Sequence, residues 1–333
     1  MWHIFVINPR SFHTKADLDT IVLEIERSFK NRNCTEFSVY ISKFPRDAIG
    51  KIRVLMAEIE NSDPGSAGRE ADDKVRVYAV GGDGILFDCL NGIMGLPNVE
   101  LVSVPYGRSN DYIRSFGEGK NALFRDIGAL IDKGVAIPTD LMYCGNNYVI
   151  TTCCIGMEAA AVVKMKALDR KFHRSIDKFP TLYSFLYIMV GLTSFLDRKL
   201  IYQHYDITID GEDYSGGYTA INIANGPCYG KDMCVSPTAM PDDGYMDISL
   251  NPSRGSLTLI RHLRSYLYGM RKPKYIILKR AKKISVRSDR PLIIQLDGEI
   301  LIDTNITLEI VPHAINMVTV KGLCYERRAA YDA

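Results

Sequence analysis

The sequence predicts a two-domain α/β protein: an N-terminal doubly wound domain on a parallel sheet, then a C-terminal β-rich sandwich domain. Three observations predict it. Apolar strands alternate with amphipathic helices through the first 134 residues, the pattern of a parallel sheet. Beyond Gly134 the strands come closely spaced, the pattern of antiparallel pairing. The chain has 333 residues, long for one domain and comfortable for two.

In the first domain, His3–Ile7 reads as a strand ending at Asn8-Pro9. Leu18, Ile21, Val22, Ile25 and Phe29 then recur at helical spacing over Lys15–Phe29, with Thr14 as N-cap. Phe37, Val39 and Ile41 alternate as a strand, and Ala48, Ile52, Leu55 and Ile59 mark a second helix. Asn61–Asp73 is polar and rich in turn formers, a surface loop. Val75–Val80 is a strand, Leu86–Met94 a helix and Leu101–Val104 a strand. The first domain is assigned to 1–134 and the second to 135–311. The last apolar run, Asn316–Val320, leaves open whether 312–333 returns to the first domain.

In the second domain, Tyr143–Ile150 straddles an Asn146-Asn147 turn, a hairpin signal. Strands are expected at Ile201–Ile209, Gly217–Ala224, Met246–Leu250, Tyr275–Leu278, Lys283–Val286, Leu292–Gln295 and Thr307–Ile310. Helices are expected at Met157–Leu168, Leu182–Leu196 and Leu257–Gly269. No internal repeat or low-complexity tract is present.

Composition narrows the function classes. A hydrophobic fraction of 47% with 24% charged residues supports a well-buried core. A net charge of +2 excludes a nucleic-acid binder that works through overall charge. The eight cysteines show no CxxC spacing and no compact cluster with histidine, so zinc is not indicated. Cys153 and Cys154 sit in an apolar stretch, where reduced thiols act as small hydrophobes. Reduced thiols without a disulfide framework, and an opening MWHIFVINPR without the form of a secretory signal, predict a soluble cytoplasmic protein. Leu182–Leu196, the longest apolar stretch, falls short of the ~20 residues of a spanning helix.

The most informative stretch is Val77–Asn91, VYAVGGDGILFDCLN. An apolar strand runs into Gly81-Gly82-Asp83-Gly84 and then into a helix. Glycines at such a turn let backbone approach phosphate oxygens, and the helix N-terminus offers free N–H groups to an anion. An aspartate there calls for a cation between it and the phosphates, since two negative charges would otherwise face each other. A tight turn needing glycine for its own geometry is the plainer account. The stretch is neither a Walker A motif nor GxGxxG, because no Gly-Lys-Ser/Thr follows and Phe87 stands at the final glycine position.

Taken with its surroundings, the stretch resembles the GGDGTxNEVxNG signature of diacylglycerol and sphingosine-type lipid kinases. Asn8-Pro9-Arg10-Ser11 resembles their NPxSG, and Pro105-Tyr106-Gly107-Arg108-Ser109-Asn110-Asp111 their PLGTGND. Asn225-Gly226, Ser236-Pro237-Thr238-Ala239 and Asp242-Asp243-Gly244 resemble the run of NG, APxA and DDG. Asp297-Gly298-Glu299 matches DGE. The motifs keep the family's order over nearly the whole chain.

The resemblance implies an ATP-dependent lipid kinase with its active site in the cleft between the two domains. Asn8, Gly81, Gly82, Asp83, Gly84, Arg108, Ser109 and Asn110 would hold ATP, with Ser42 in the place of a threonine that approaches the nucleotide. Asp83 would reach Mg²⁺, directly or through water. Glu299, with Asp297 close behind, would accept the proton of the attacking hydroxyl. The family's structural metal would take the Asp243 carboxylate and the carbonyls of Met240 and Tyr245. Asp297-Gly298 also reads as a hairpin turn, which is compatible.

From Arg254 to Arg287 there are eleven Lys/Arg and no Asp/Glu, interleaved with apolar residues. The run reads equally as a solvated basic face or as a surface for anionic lipid headgroups. The expected partners are a lipid substrate and, transiently, an anionic membrane surface. An exposed sheet edge would also suit a homodimer.

Departures from the family pattern gather near the nucleotide. Ile85 stands for the threonine after GGDG, Phe87-Asp88 for Asn-Glu, and Phe12 for the glycine of NPxSG. Arg108 stands for a threonine and Ser109 for a small residue. Losing one neutral hydrogen bond costs on the order of 1 kcal/mol, and Arg108 is placed to compensate by meeting phosphate charge. Two alternatives stay open: a weak or silent relative that binds nucleotide or lipid as a sensor, and an NAD kinase-like enzyme, which shares the GGDG turn.

Overall fold

A computed structural model of the chain describes residues 1–61, 74–178, 190, 193, 203–230, 234, 236–253 and 276–327. The expected 62–73 loop, the helices at 182–196 and 257–269, and most of the basic run lie outside the described residues. The chain forms two compact units, Met1–Leu141 with Pro312–Glu326, and Met142–Val311 with Arg327–Ala333.

The first unit is built on β1 (Trp2–Ile7), β2 (Phe37–Ile41), β3 (Val75–Gly81) and β4 (Val99–Pro105), joined by α1 (Lys15–Lys30), α2 (Asp47–Asn61) and α3 (Asp83–Ile93). Two short helices, α4 (Asn121–Arg125) and α5 (Ile127–Lys133), follow. The final strand of the chain, β14 (Glu299–Val320), ends in this unit, where Asn316 and Met317 pair with Glu100 and Leu101 of β4. The order β14-β4-β3-β1-β2 is parallel throughout. β3 is buried at every position, as a strand covered on both faces must be.

Local sequence accounts for the elements around this sheet. Thr14 caps α1 in a reciprocal box: its hydroxyl accepts from Asp17 N at 3.1 Å, and Asp17 Oδ2 accepts from Thr14 N at 2.9 Å. The helix buries Ile21, Ile25 and Phe29, and Phe29 stacks on Phe37 at 4.4 Å between centroids. At the N-terminal ends of the strands a charged row crosses the sheet, His3 on β1, Arg76 on β3 and Glu100 on β4. Arg76 donates to Glu100 Oε2 through Nε and Nη2 at 3.0 and 2.8 Å. Lys74 Nζ donates to Glu100 Oε1 at 3.0 Å, so the buried carboxylate is well supplied.

The second unit begins within β5 (Gly134–Cys144), which turns into β6 (Asn147–Val149). It continues with β7 (Thr152–Gly156), α6 (Met157–Lys178), β8 (Gln203–Ile209), β9 (Glu212–Asp213), β10 (Gly216–Ala224), β11 (Met246–Pro252), β12 (Ile277–Ala281) and β13 (Lys283–Leu296). The order β12-β11-β10-β7-β13-β14 is antiparallel, with β8 pairing both β10 and β13. β8 alternates buried and exposed residues without a break.

Three sequence expectations need correction. Lys283–Val286 and Leu292–Gln295 are one strand, because the ladder resumes after a register shift between Arg287 and Leu292. Likewise the apolar runs at 307–310 and 316–320 both belong to β14, which continues through Val311–Ile315. Finally, Cys228 and Cys234 form a disulfide where reduced thiols were expected. Gly230 has a positive φ of 62°, and a spacing of six does not announce such a pair. Cys89, Cys144, Cys153 and Cys154 are free and buried, Cys34 is half-buried and Cys324 is exposed. Burial pushes the Cys89, Cys153 and Cys154 thiols well above their ordinary range, and Cys144 up to about 11.

His3 gives the first unit an acid-sensitive point. Burial, then the charge of Arg76, lowers its pKa to about 4, and the neutral ring shares a hydrogen bond with Tyr78 Oη at 2.9 Å. A folded pKa below the unfolded value of about 6.5 means stability that is complete above pH 6.5 and is lost as pH falls toward 4. The loss expected over that window is on the order of 3 kcal/mol. Chemical denaturation of wild type and His3→Phe from pH 4 to 7 checks it: the variant shows a flatter acid limb.

Candidate active site

The Gly81–Gly84 turn closes β3 and opens α3, and the loop after β4 folds against it. Tyr106 N and Gly107 N both donate to Gly81 O, at 2.7 and 3.0 Å. A Cβ on Gly82 would stand 2.9 Å from Gly107 Cα, and one on Gly107 would stand 2.3 Å from Gly82 Cα. Only two glycines allow this approach, so backbone forms the wall here. Gly82 is the N-cap of α3 and no side chain caps the helix.

Asp83 ties the two loops together. Its Oδ2 accepts from Asn110 N at 3.1 Å and its Oδ1 from Asp111 N at 2.7 Å. Burial raises the Asp83 pKa above the usual carboxylate range, against the pull of those two N–H groups and the Arg114 charge. Asn110, itself buried at φ 54°, closes on Gly107 twice: its Oδ1 accepts from Gly107 N at 2.9 Å, and its Nδ2 donates to Gly107 O at 2.8 Å.

The other first-unit candidates surround this turn. The side of Gly81 where a Cβ would project is taken by Ile85 Cγ2, Ser11 Oγ and Asn8 Cβ, at 2.8, 3.0 and 3.1 Å from that position. Asn8 Oδ1 accepts from Arg10 N at 3.0 Å, and Ser42 N donates to Ile7 O at 2.9 Å, one residue before Asn8. Arg108 is exposed on the loop, with Ser109 half-buried beside it. The substituted positions have packing roles. Ile85 and Phe87 are core residues, and the Arg46 guanidinium lies 5.2 Å from the Phe87 ring centroid. Asp88 Oδ2 accepts from Arg46 N at 2.9 Å. Phe12 packs on Tyr106 at 5.0 Å, and Arg125 covers the Tyr106 ring at 4.9 Å.

In the second unit, Asp297 and Gly298 form the β13–β14 turn with φ 46° and 90°, both positive as a type I′ hairpin requires. Asp297 is buried, and its carboxylate accepts three backbone N–H groups: Ile150 at 2.6 Å, Thr151 at 2.9 Å and Thr152 at 2.9 Å. Its own N–H donates to Thr152 O at 3.0 Å. Glu299 is half-buried, and its Oε1 accepts from Lys166 Nζ of α6 at 2.9 Å. The two carboxylates therefore differ: Asp297 is committed to holding the turn and Glu299 keeps a half-exposed face. Asn225 supports the same region, with Nδ2 donating to Ile150 O at 2.9 Å. Glu158, near the start of α6, accepts from Asn222 Nδ2 at 3.2 Å and from Tyr229 Oη.

The Asp243 carboxylate, expected to hold a structural metal with the Met240 and Tyr245 carbonyls, is met by an arginine. Asp243 Oδ2 accepts from Arg280 Nη2 at 2.6 Å and Oδ1 from Tyr245 N at 3.2 Å. Among the described residues no group of three His, Cys, Asp or Glu could hold a metal ion. The described end of the basic run is also largely paired, Lys279 with Glu212, Arg280 with Asp243 and Asp247, and Lys283 with Glu309. Among the described residues no helix is long and apolar enough to cross a membrane.

Sequence reasoning missed Gly107, Asp111, Lys166 and Arg280. The first two lay within a recognised motif. The last two act through cross-element contacts that leave no local pattern.

Comparison with known proteins agrees with the geometry. Residues 3–144 match the diacylglycerol kinase catalytic domain, and residues 165–319 match the YegS C-terminal NAD kinase beta sandwich-like domain. A YegS-like protein of Shewanella frigidimarina, named as a lipid kinase, is 27% identical over 252 residues, covering 74% of this chain and 77% of its own. A Staphylococcus aureus protein named as a lipid kinase is 25% identical over 259 residues, covering 76% and 80%. A Bacillus anthracis crystal structure described as a diacylglycerol kinase shares the fold, with a TM-score of 0.69 at 19% identity over 97% of this chain and 98% of that one.

The three donors on Asp297 predict a stability role separable from catalysis. Asp297→Ala leaves buried N–H groups unsatisfied and is expected to cost about 3 kcal/mol or more, whereas Glu299→Gln is expected to cost under about 1 kcal/mol. Urea unfolding of both variants beside wild type checks the difference.

Proposed function

The chain belongs to the lipid kinases of the diacylglycerol kinase and YegS family, and on that premise we propose that it transfers the γ-phosphate of ATP to a hydroxyl of diacylglycerol or a related lipid alcohol. The observation that carries the reading is the backbone wall of Gly81, Gly82 and Gly107 at the uncapped N-terminus of α3. Free N–H groups beside a glycine surface suit a polyphosphate. Asn8, Ser42 and Gly84 flank the turn, and Arg108, exposed on the facing loop, would meet phosphate charge.

Asp83 would hold Mg²⁺, directly or through water: a carboxylate has about four acceptor sites, and the backbone N–H groups of Asn110, Asp111 and Asp83 itself take three. When bound, the ion neutralises phosphate charge. The acceptor oxygen attacks the γ-phosphorus, the bond to the ADP oxygen breaks, and the hydroxyl proton passes to Glu299. Lys166 orients that carboxylate from α6, and Asp297 fixes the turn that carries it. The lipid is met by peripheral contact with an anionic membrane surface, from a cytoplasmic protein.

A second reading, nucleotide binding without turnover, is favoured by the Phe12–Tyr106–Arg125 stack beside the turn, where the family pattern has glycine. One pair of experiments separates the readings. Calorimetry should show Mg²⁺-ATP binding to wild type, loss of binding in Gly82→Val and retention in Glu299→Gln. Labelled phosphate should reach diacylglycerol in mixed micelles, with Glu299→Gln slower by about 10²–10⁴-fold. Binding with no transfer across a broad lipid panel selects the second reading. Phosphorylation of NAD but of no lipid overturns both.

A further inference from the structure

Among the described residues, the Asp243 loop is where the molecule departs most clearly from what its family implies. Arg280 on β12 is the cross-strand partner of Asp247 on β11, so register alone brings its side chain over that carboxylate. Its Nε lies 3.3 Å from Asp247 Oδ1, while Nη2 donates to Asp243 Oδ2 at 2.6 Å. One planar guanidinium thus bridges two acids whose side chains are only 18% and 11% exposed. The remaining oxygens have their own donors: Tyr245 N to Asp243 Oδ1 at 3.2 Å, and Thr238 Oγ1 to Asp247 Oδ2 at 2.6 Å. The Tyr245 ring lies under the guanidinium at 4.7 Å, and Arg327 Nη2 stands 3.6 Å from Asp243 Oδ2.

These contacts match what a divalent ion would do. Two partly buried carboxylates need positive charge at short range, and a loop turning at Gly244 (φ 76°) needs a fixed point. Arg280 supplies both from within the chain, through a planar fork of donors. Arg280 and Arg327 both place positive charge beside Asp243, so an added divalent cation would meet repulsion there and would have to displace the guanidinium.

We infer that the Arg280 guanidinium stands in for the structural cation at this loop, so that the Asp242–Gly244 turn is held without a bound divalent metal. The inference does not depend on the proposed reaction, because it concerns how one loop of the second unit is held.

Thermal unfolding of the full chain without nucleotide tests it, in EDTA and in millimolar Mg²⁺ or Ca²⁺. Wild type is expected to melt at the same temperature in both. Arg280→Ala is expected to melt several degrees lower in EDTA and to recover with divalent cation, but not with KCl of equal ionic strength. Arg280→Lys retains the charge and is expected to fold in EDTA and show no divalent response. Should Arg280→Ala fail to fold, Arg280→Lys decides. The inference is overturned if wild type gains stability from divalent cation and loses that gain in Asp243→Asn. It is equally overturned if Arg280→Ala melts like wild type, or if Arg280→Lys requires a divalent cation.

Discussion

The first unit turns on the Asp83 carboxylate. Two loops that leave neighbouring parallel strands must lie in backbone contact, and glycine at Gly82 and Gly107 permits that contact without holding it. Asp83 holds it, by accepting the N–H groups of Asn110 and Asp111 from the opposite loop. Asn110 then closes on Gly107 and keeps the loop narrow. Without Asp83, the two backbone hydrogen bonds to Gly81 O would be left to join the loops. An acidic residue in a phosphate-type turn is thereby explained on two levels. It satisfies backbone donors of the facing loop, and the proposed reaction adds a cation beside it.

The second unit repeats this economy with different parts. Asp297 sits at a hairpin turn that its positive φ and the following glycine already favour. Its carboxylate nevertheless reaches the N–H groups of residues 150–152, far away in sequence, and fastens the turn to the start of β7. Glu299 inherits a fixed position from this grip. In each unit one aspartate organises backbone from a distant part of the chain.

Much of this was legible in the sequence because the signals are local. The α1 cap at Thr14, the parallel alternation through β4 and the Asp297-Gly298 turn depend on residues within a few positions of one another. What was hidden depends on register. Nothing in the order of residues places Arg280 opposite Asp247, and the basic run around it suggested an open cationic face. The structure shows Lys279, Arg280 and Lys283 of that run each beside an acid of another element or loop. The Cys228–Cys234 pair was missed for a related reason, since a loop's closure is set by its backbone path. The substitutions at Ile85 and Phe87 looked like losses near the nucleotide, and their burial shows what each contributes to the α3 core.

The distribution of thiols has a practical consequence for spectroscopy. Four of the free cysteines are buried with their thiols held in the unreactive protonated form, so alkylating dyes are directed to Cys324 and, more slowly, Cys34. Cys324 is the residue before Tyr325, whose hydroxyl meets those of Tyr112 and Thr139 at 2.9 and 2.7 Å. Tyr112 in turn follows Asp111, one of the two residues tethered by Asp83. A fluorophore on the native sequence therefore sits a few bonds from the loop that walls the glycine turn. The chain carries its own reporter position for that loop, with no cysteine to be added or removed.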